Sequence, residues 1–249
     1  MSGMKSNWLG KIKLKALLVY RDLFNALRAR RPQAGGYPGN LPELREIIAH
    51  GARRTDFSDH LVPIFTEGMS CRPRLIVELG TRGGESTFVF ERVARLCGAV
   101  LLSVDIEDCL QASAYPAWNF VKSDDVAFAG QFKAWCRKKR IQPEIDLLFI
   151  DTSHLYEHTC AEIKAWLPHV APAGKVIFHD TNMQYFYRRA DGSLDIGWDN
   201  QRGVIRALEE HFGCRWDETR PFVDARGGWL IRHWPNCSGL TILDRLPAA

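Results

Sequence analysis

From residue 75 onward, apolar runs of strand length alternate with stretches whose apolar residues recur every three or four positions. "LIVELG" (75–80) precedes "ESTFVFERVARLC" (85–97), and "VLLSVD" (100–105) and "NFVKSD" (119–124) precede "VAFAGQFKAWCRKK" (126–139). "IDLLFID" (145–151) leads into "YEHTCAEIKAWLPHV" (156–170), then "KVIFHDT" (175–181). The runs are apolar at successive positions, as in strands buried on both faces. Strand and helix in alternation predict an α/β, doubly wound, Rossmann-like sheet that is mostly parallel. The tail departs from this rhythm: "GVIRALEEHF" (203–212) reads as a helix, and "CRWDET" with "GGWLIRHW" as a closing antiparallel pair.

The first 40 residues read differently. Trp8, Ile12, Ala16, Val19, Leu23 and Leu27 recur at helical spacing, and "RRPQAGGYPGN" (30–40) breaks the pattern. Eight Lys and Arg stand against Asp22 within residues 1–31, a local charge of +7 in a chain whose net charge is +4. This predicts a basic amphipathic arm and linker over 1–40, ahead of one domain over 41–249. The arm can pack on the domain or on a second subunit, or lie on an anionic membrane surface. Aromatics are not interleaved with its basic residues, so nucleic acid is not an expected partner.

At 249 residues, 46% of them hydrophobic, the chain can bury a sizeable single core. Seven cysteines, with no Cys-x-x-Cys pair, argue against a disulfide framework or zinc site and fit a reducing cytoplasm. No apolar run approaches bilayer length, and lysines interrupt the N-terminal apolar stretch, so neither a span nor a signal peptide is expected.

The candidate chemistry lies at the strand ends. Gly80, Gly83 and Gly84 make the turn after the first strand nearly bare of side chains. Glycine allows close backbone approach, and Ser86 and Thr87 open a helix whose N–H groups favour an anion. Gly-x-x-Gly-Gly is not the dinucleotide fingerprint. Asp105 ends the second strand, where an acid commonly takes ribose hydroxyls.

With "VELGTRGGEST", "VDIED" and "FIDTSHLYEHTCAEIKAWLPHVAPAGKVIFHDTN" in view, the chain resembles the class I S-adenosylmethionine-dependent methyltransferases. It is most similar to the small-molecule O-methyltransferase branch that includes sugar and macrolide-glycoside enzymes and cephalosporin-hydroxylase-like proteins. The resemblance covers roughly residues 60–212. It implies that Glu78, Gly80, Thr81, Gly83 and Ser86 hold the methionine part of S-adenosyl-L-methionine, that Asp105 holds its ribose, and that Ser123 and Asp124 border its adenine. It also implies a small-molecule acceptor from secondary metabolism. Two positions depart from the family: Thr152 stands where Gly is common, and His179 where Asp or Glu is frequent.

Asp151 and Asp180 close neighbouring strands, roughly 4.8 Å apart, so their carboxylates can converge. Such a pair calls for a shared proton or a cation, and oxygen ligands favour Mg, Ca or Mn. The expected metal ligands are Asp151, Asp180 and Asn182, with Mg the expected ion. His179 points to the opposite face if the strand stays regular. His154, three residues past Asp151, is the expected general base, with Asp151 as its catalytic partner. The segment 182–203 reads as a lid in which Tyr185, Tyr187, Arg188 and Arg189 can frame a polar ring or a phosphate and Trp198 can stack on a sugar. The expected activity is O-methylation of a sugar or polyol hydroxyl. The competing readings are an iron-dependent oxygenase, for which no two-His, one-carboxylate triad is apparent, and a non-catalytic cofactor- or glycan-binding module. An Asn-Pro-Pro-Tyr-type motif for base methylation is absent.

Overall fold

The computed structural model describes residues 14–22, 24–25 and 41–247. The linker over 30–40 lies outside the described residues. The elements run α1 (Pro42–Gly51), α2 (Leu61–Cys71), β1 (Leu75–Leu79), α3 (Glu85–Cys97), β2 (Val100–Asp105), β3 (Trp118–Lys122) and α4 (Asp125–Lys139). They continue with β4 (Ile145–Ile150), α5 (Tyr156–Trp166), a 3₁₀ turn (Leu167–His169) and β5 (Val170–His179). After these come the hairpin β6 (Phe186–Arg188) and β7 (Leu194–Ile196), then α6 (Gly203–Phe212), β8 (Phe222–Arg226), β9 (Trp229–Trp234) and β10 (Leu240–Arg245).

Eight strands form one sheet in the order β3-β2-β1-β4-β5-β10-β9-β8. The first five are mutually parallel; β10, β9 and β8 pair antiparallel beyond β5. All five residues of β1 are buried, because helices cover both faces. Residues of α1, α2 and α3 pack on one face around Phe90, Phe149 and Ile177. Residues of α4, α5 and α6 pack on the other, around Phe132, Trp166 and Phe178. Strand order reverses between β1 and β4, so a crevice opens beyond their carboxyl ends.

The C-terminal expectation needs correction. Residues 214–219 form no strand: Glu209 accepts the Trp216 backbone N–H at 2.8 Å, drawing that segment onto α6. The hairpin instead turns at Gly227 and Gly228, with φ of 56° and 79°, so its strands flank the glycines. β10, absent from the sequence reading, fills the space between β5 and β9 with four buried residues.

Residues 14–22 and 24–25 are helical. Tyr20 meets the Phe186 ring edge-on at 5.6 Å, and the Asn25 amide exchanges two hydrogen bonds with the Leu194 backbone, at 2.9 and 2.7 Å. The described part of the arm therefore packs on the β6–β7 hairpin, while Trp8, Ile12, Leu23 and Leu27 lie outside the described residues. No helix among the described residues is long and apolar enough to cross a membrane.

Candidate active site

β1 ends and the chain turns at Gly80, with φ +86°. A Cβ here would lie 2.0 Å from the Asp151 carbonyl oxygen, so only glycine lets the ends of β1 and β4 approach this closely. At Gly83 a Cβ would meet nothing within 4 Å: the turn faces open space. That space is a cleft of about 590 Å³, within the usual range for ligand sites. Gly80, Thr81, Gly83, Ser86, Asp105, Ser123, Asp124, Asp151, His154 and Asp180 all line it. The loop before α2 contributes a facing wall through Thr55, Asp56 and Phe57.

Two of the expected cofactor residues brace the turn, Glu78 from beneath it and Asp105 from the cleft wall. Glu78 is fully buried beneath it and accepts hydrogen bonds from Thr87 Oγ1 at 2.8 Å and Ser103 Oγ at 2.5 Å. Burial pushes its carboxyl up to about 7, against the pull of those hydroxyls. Asp105 Oδ2 accepts the backbone N–H groups of Thr81 and Arg82 at 2.7 and 2.9 Å, and Oδ1 that of Glu107 at 2.8 Å. Burial would raise its pKa, but these N–H donors hold it below the ordinary value. Oδ2 is thus filled, and the Cys109 thiol donates to the same carboxylate. Asp124 caps α4 by accepting the Ala127 N–H at 2.7 Å, which fixes that wall of the cleft. Below that wall, Asp125 holds His158 Nε2 at 2.9 Å. Thr152 Oγ1 donates to Glu162 at 2.6 Å, so the departure from glycine at 152 ties the loop to α5.

At the other end, the polar atoms of four side chains converge. His154 Nε2 lies 2.9 Å from Asp151 Oδ1 and 3.0 Å from Asp180 Oδ2. His179 Nδ1 lies 3.0 Å from Asp180 Oδ1 and 3.4 Å from Asp151 Oδ1. His179 was expected on the opposite face. It reaches the same point because Asp180 adopts a left-handed conformation, φ 57°, which breaks the strand alternation. His154, φ 58°, and Arg82, φ 45°, are left-handed as well, so three strained non-glycine residues meet at one cleft. Burial works against His154 ionisation, but its bonds to Asp151 and Asp180 outweigh that and push it up to about 10. Burial likewise opposes charge on His179, yet Asp180 and Asp151 raise it well above the ordinary value. Burial alone would raise both carboxyls, but the histidines hold Asp151 at about 2 and Asp180 lower still.

Behind His179 stands a residue that the sequence reading missed. His60, 2% exposed, has Nδ1 2.9 Å from His179 Nε2 and Nε2 2.8 Å from the Asn236 carbonyl oxygen. Burial, and then the charge on His179, push it down to about 3, so it stays neutral. Phe57 stacks on the His179 ring at 4.3 Å.

One metal-ligand expectation and two lid expectations are corrected. Asn182 does not join the carboxylates: Gly239 turns the chain, and Asn182 Nδ2 donates to the Pro235 carbonyl at 2.9 Å, facing a separate pocket. Tyr187 is buried. Arg189 is 3% exposed and committed to Asp195 at 2.6 Å and Ser58 at 2.9 Å, so neither frames a phosphate. Trp198 does reach the site, its ring 5.9 Å from that of His154.

Residues 77–181 match a family described as "Methyltransferase domain". Among solved structures, the chain is similar to the MycE methyltransferase from the mycinamycin biosynthetic pathway, solved with Mg, S-adenosylhomocysteine and mycinamycin VI. Identity is 17%, coverage 84% of this chain and 54% of that one, and the TM-score 0.54. It is also similar to an O-methyltransferase from Bacillus cereus bound to S-adenosylhomocysteine: 13% identity, 90% and 99% coverage, TM-score 0.53. A protein of Sinorhizobium fredii, "Uncharacterized protein y4gI", is 29% identical over 135 residues, 45% of this chain and only 14% of that protein. This chain thus spans a small part of that relative and about half of MycE.

The match over residues 77–181 is to a methyltransferase domain, and the fold is the one shared with the solved methyltransferases above. The residues matched run from β1 to the end of β5 and so enclose both ends of the cleft.

Proposed function

We propose that this chain is an O-methyltransferase that moves the methyl group of S-adenosylmethionine to a hydroxyl of a small molecule, a sugar or polyol of a glycosylated metabolite, with a divalent cation at Asp151 and Asp180. The observation that carries this reading is the single cleft that joins the glycine turn and Asp105 to the Asp151–His154–Asp180 cluster. A cation fits the donor set. His179 Nδ1 and Asp180 Oδ1 are both buried and without a hydrogen-bond partner, and they face each other at 3.0 Å.

S-adenosylmethionine supplies an electrophilic methyl on sulfur, and a divalent cation lowers the pKa of an acceptor hydroxyl. The chain supplies position and proton handling. The turn at Gly80–Gly84 and the N–H groups at the start of α3 receive the methionine carboxylate. Asp105 takes one ribose hydroxyl. Trp198 offers an apolar face beside His154 for a sugar ring. Alignment of this kind lowers a barrier by up to about 7–11 kcal/mol. His154 holds its proton while both carboxylates are uncompensated. Once their charge is compensated, it falls toward its ordinary range near 6.5 and can take the acceptor proton, worth on the order of 10²- to 10⁴-fold.

Calorimetric titration with S-adenosylhomocysteine, with and without chelator, tests the first half of this reading. Transfer of label from S-adenosylmethionine to a panel of glycosides and polyols tests the second. Micromolar binding and chelator-sensitive transfer are expected; absence of binding in both conditions overturns the reading. One observation favours a second reading. The fold assembles what the residue spacing did not reveal, two imidazole nitrogens beside two carboxylates, a donor set that iron oxygenases share. Oxygen-dependent turnover with iron, and none with S-adenosylmethionine, would select it.

A further inference from the structure

The geometry points to His179 as a neutral nitrogen ligand, through Nδ1, of a transition-metal ion shared with Asp151 and Asp180, making the site one that selects Mn, Fe, Co or Zn over Mg. This rests on the cation part of the reading above and names which cations the site takes.

Hydrogen-bond accounting fixes where the buried hydrogens sit. The Asn236 carbonyl only accepts, so His60 Nε2 carries a hydrogen. A second hydrogen on His60 would place a buried cation against a single carbonyl. His60 Nδ1 is therefore an acceptor, and it takes the Nε2 hydrogen of His179 at 2.9 Å. That relay leaves Nδ1 of a neutral His179 as a bare lone pair. It points at two carboxylate oxygens, 3.0 and 3.4 Å away, which are also lone-pair donors. Three converging lone pairs at these separations repel unless a positive centre lies among them.

The spacings suit a metal ion. Two donors bound at about 2.1 Å sit about 3.0 Å apart in octahedral and about 3.4 Å apart in tetrahedral coordination. The competing occupant is a proton on Nδ1. It fits less well, because neither Nδ1 nor Asp180 Oδ1 finds hydrogen-bond geometry despite their 3.0 Å separation. His154 is different: its Nε2 does form a hydrogen bond to Asp151, at 2.9 Å. His154 with Asp151 and Asp180 is also spaced to hold an ion; the buried, unpartnered Nδ1 is what gives the ligand role to His179 and leaves His154 to carry the proton. His60 and Asn236 form the outer support that metal-binding imidazoles typically have, and Phe57 stacks on the ring to hold its plane. An imidazole in place of a carboxylate also takes one negative charge from the site. That weakens a hard ion such as Mg more than ions that accept nitrogen.

The test uses the full chain stripped of metal and titrated separately with CoCl2 and MgCl2, followed by pulsed EPR of the Mn(II)-loaded protein grown with ¹⁵N-histidine. The wild type is expected to bind Co(II) on the order of 100-fold more tightly than Mg(II) and to show a strongly coupled histidine nitrogen. His179→Asp should lose that nitrogen and narrow the preference to within about 10-fold. His154→Gln should keep both properties. His60→Leu should weaken Co(II) binding by about 10- to 100-fold while retaining Asp151 and Asp180. Equal Co(II) and Mg(II) affinity without nitrogen coupling in the wild type overturns the inference, as does coupling lost in His154→Gln but kept in His179→Asp. Failure to bind Co(II) overturns it too. S-adenosylhomocysteine titrated into the same samples keeps the readings apart, since its binding supports the methyl-transfer reading whatever the metal result.

Discussion

A Cβ placed on Gly80 would sit 2.0 Å from the carbonyl oxygen of Asp151, so the carboxyl ends of β1 and β4 are held at a separation that only glycine permits. Gly80→Ala must move backbone rather than a flexible side chain, and it adds the cost of φ +86°. A destabilisation of about 2 kcal/mol or more is expected, with loss of S-adenosylhomocysteine binding. Gly83→Ala is the control. Its Cβ meets nothing, so stability should stay within about 0.5 kcal/mol while S-adenosylhomocysteine affinity falls. Denaturant unfolding and calorimetry on both variants check this; an unchanged affinity in Gly83→Ala would place the methionine part of the cofactor elsewhere.

Arg189 is a strut for the β6–β7 hairpin. Its guanidinium meets Asp195 within β7 and Ser58 in the loop before α2, which ties the β6–β7 hairpin to the cleft wall. Arg189→Ala leaves Asp195 with only the Ile196 N–H at 2.9 Å and the more distant Arg21 guanidinium at 3.6 Å. Asp195 is a quarter exposed, so the cost is on the order of 2 kcal/mol, below that of a fully buried pair. Acceptor KM should rise while S-adenosylhomocysteine affinity holds. Equal loss of both would mean that the residue supports the whole domain rather than the hairpin.

Trp198 is 44% exposed and lies against His154, a position suited to stack on a sugar face. Trp198→Ala should cost about 1–2 kcal/mol of acceptor binding, read as a KM increase of roughly 5- to 30-fold with little change in stability. Trp198→Phe should recover most of it. A change confined to kcat would instead assign the ring to orienting His154.

Much of this site was legible because its parts lie at strand ends, where apolar runs stop at Gly80, Asp105, Asp151 and Asp180. What local pattern could not show was geometry that crosses the chain. His60 precedes α2 and meets His179 across 119 positions, and nothing in its neighbourhood marks it. Alternation put His179 on the far face because a regular strand was assumed. Asp180 is a residue type that tolerates the left-handed region, and its φ of 57° turned the two side chains together. Asn182 read as a ligand by proximity in sequence, but the close approach of Gly239 drew it to Pro235. β10 went unread because "LTILDR" follows a loop rather than a helix, outside the alternation that revealed the first five strands.

Beneath the cleft wall at Asp124, α4 and α5 bring two buried acids together. Glu162 is fully buried on α5, and Asp125 is 5% exposed at the start of α4. Burial first, and then the charge on Asp125, push the Glu162 carboxyl up to about 8. A carboxyl that is easier to protonate in the folded state contributes stability that is present below its ordinary value of 4.5 and lost as pH rises through about 8. Glu162→Gln removes that titration and keeps an oxygen to accept the Thr152 hydroxyl. The variant should therefore gain on the wild type steadily between about pH 5 and pH 9 and be the more stable protein at the alkaline end. Urea unfolding of both proteins across that range checks it, and a stability difference that stays flat with pH would show that Glu162 is ionised in the fold, its charge held by His158.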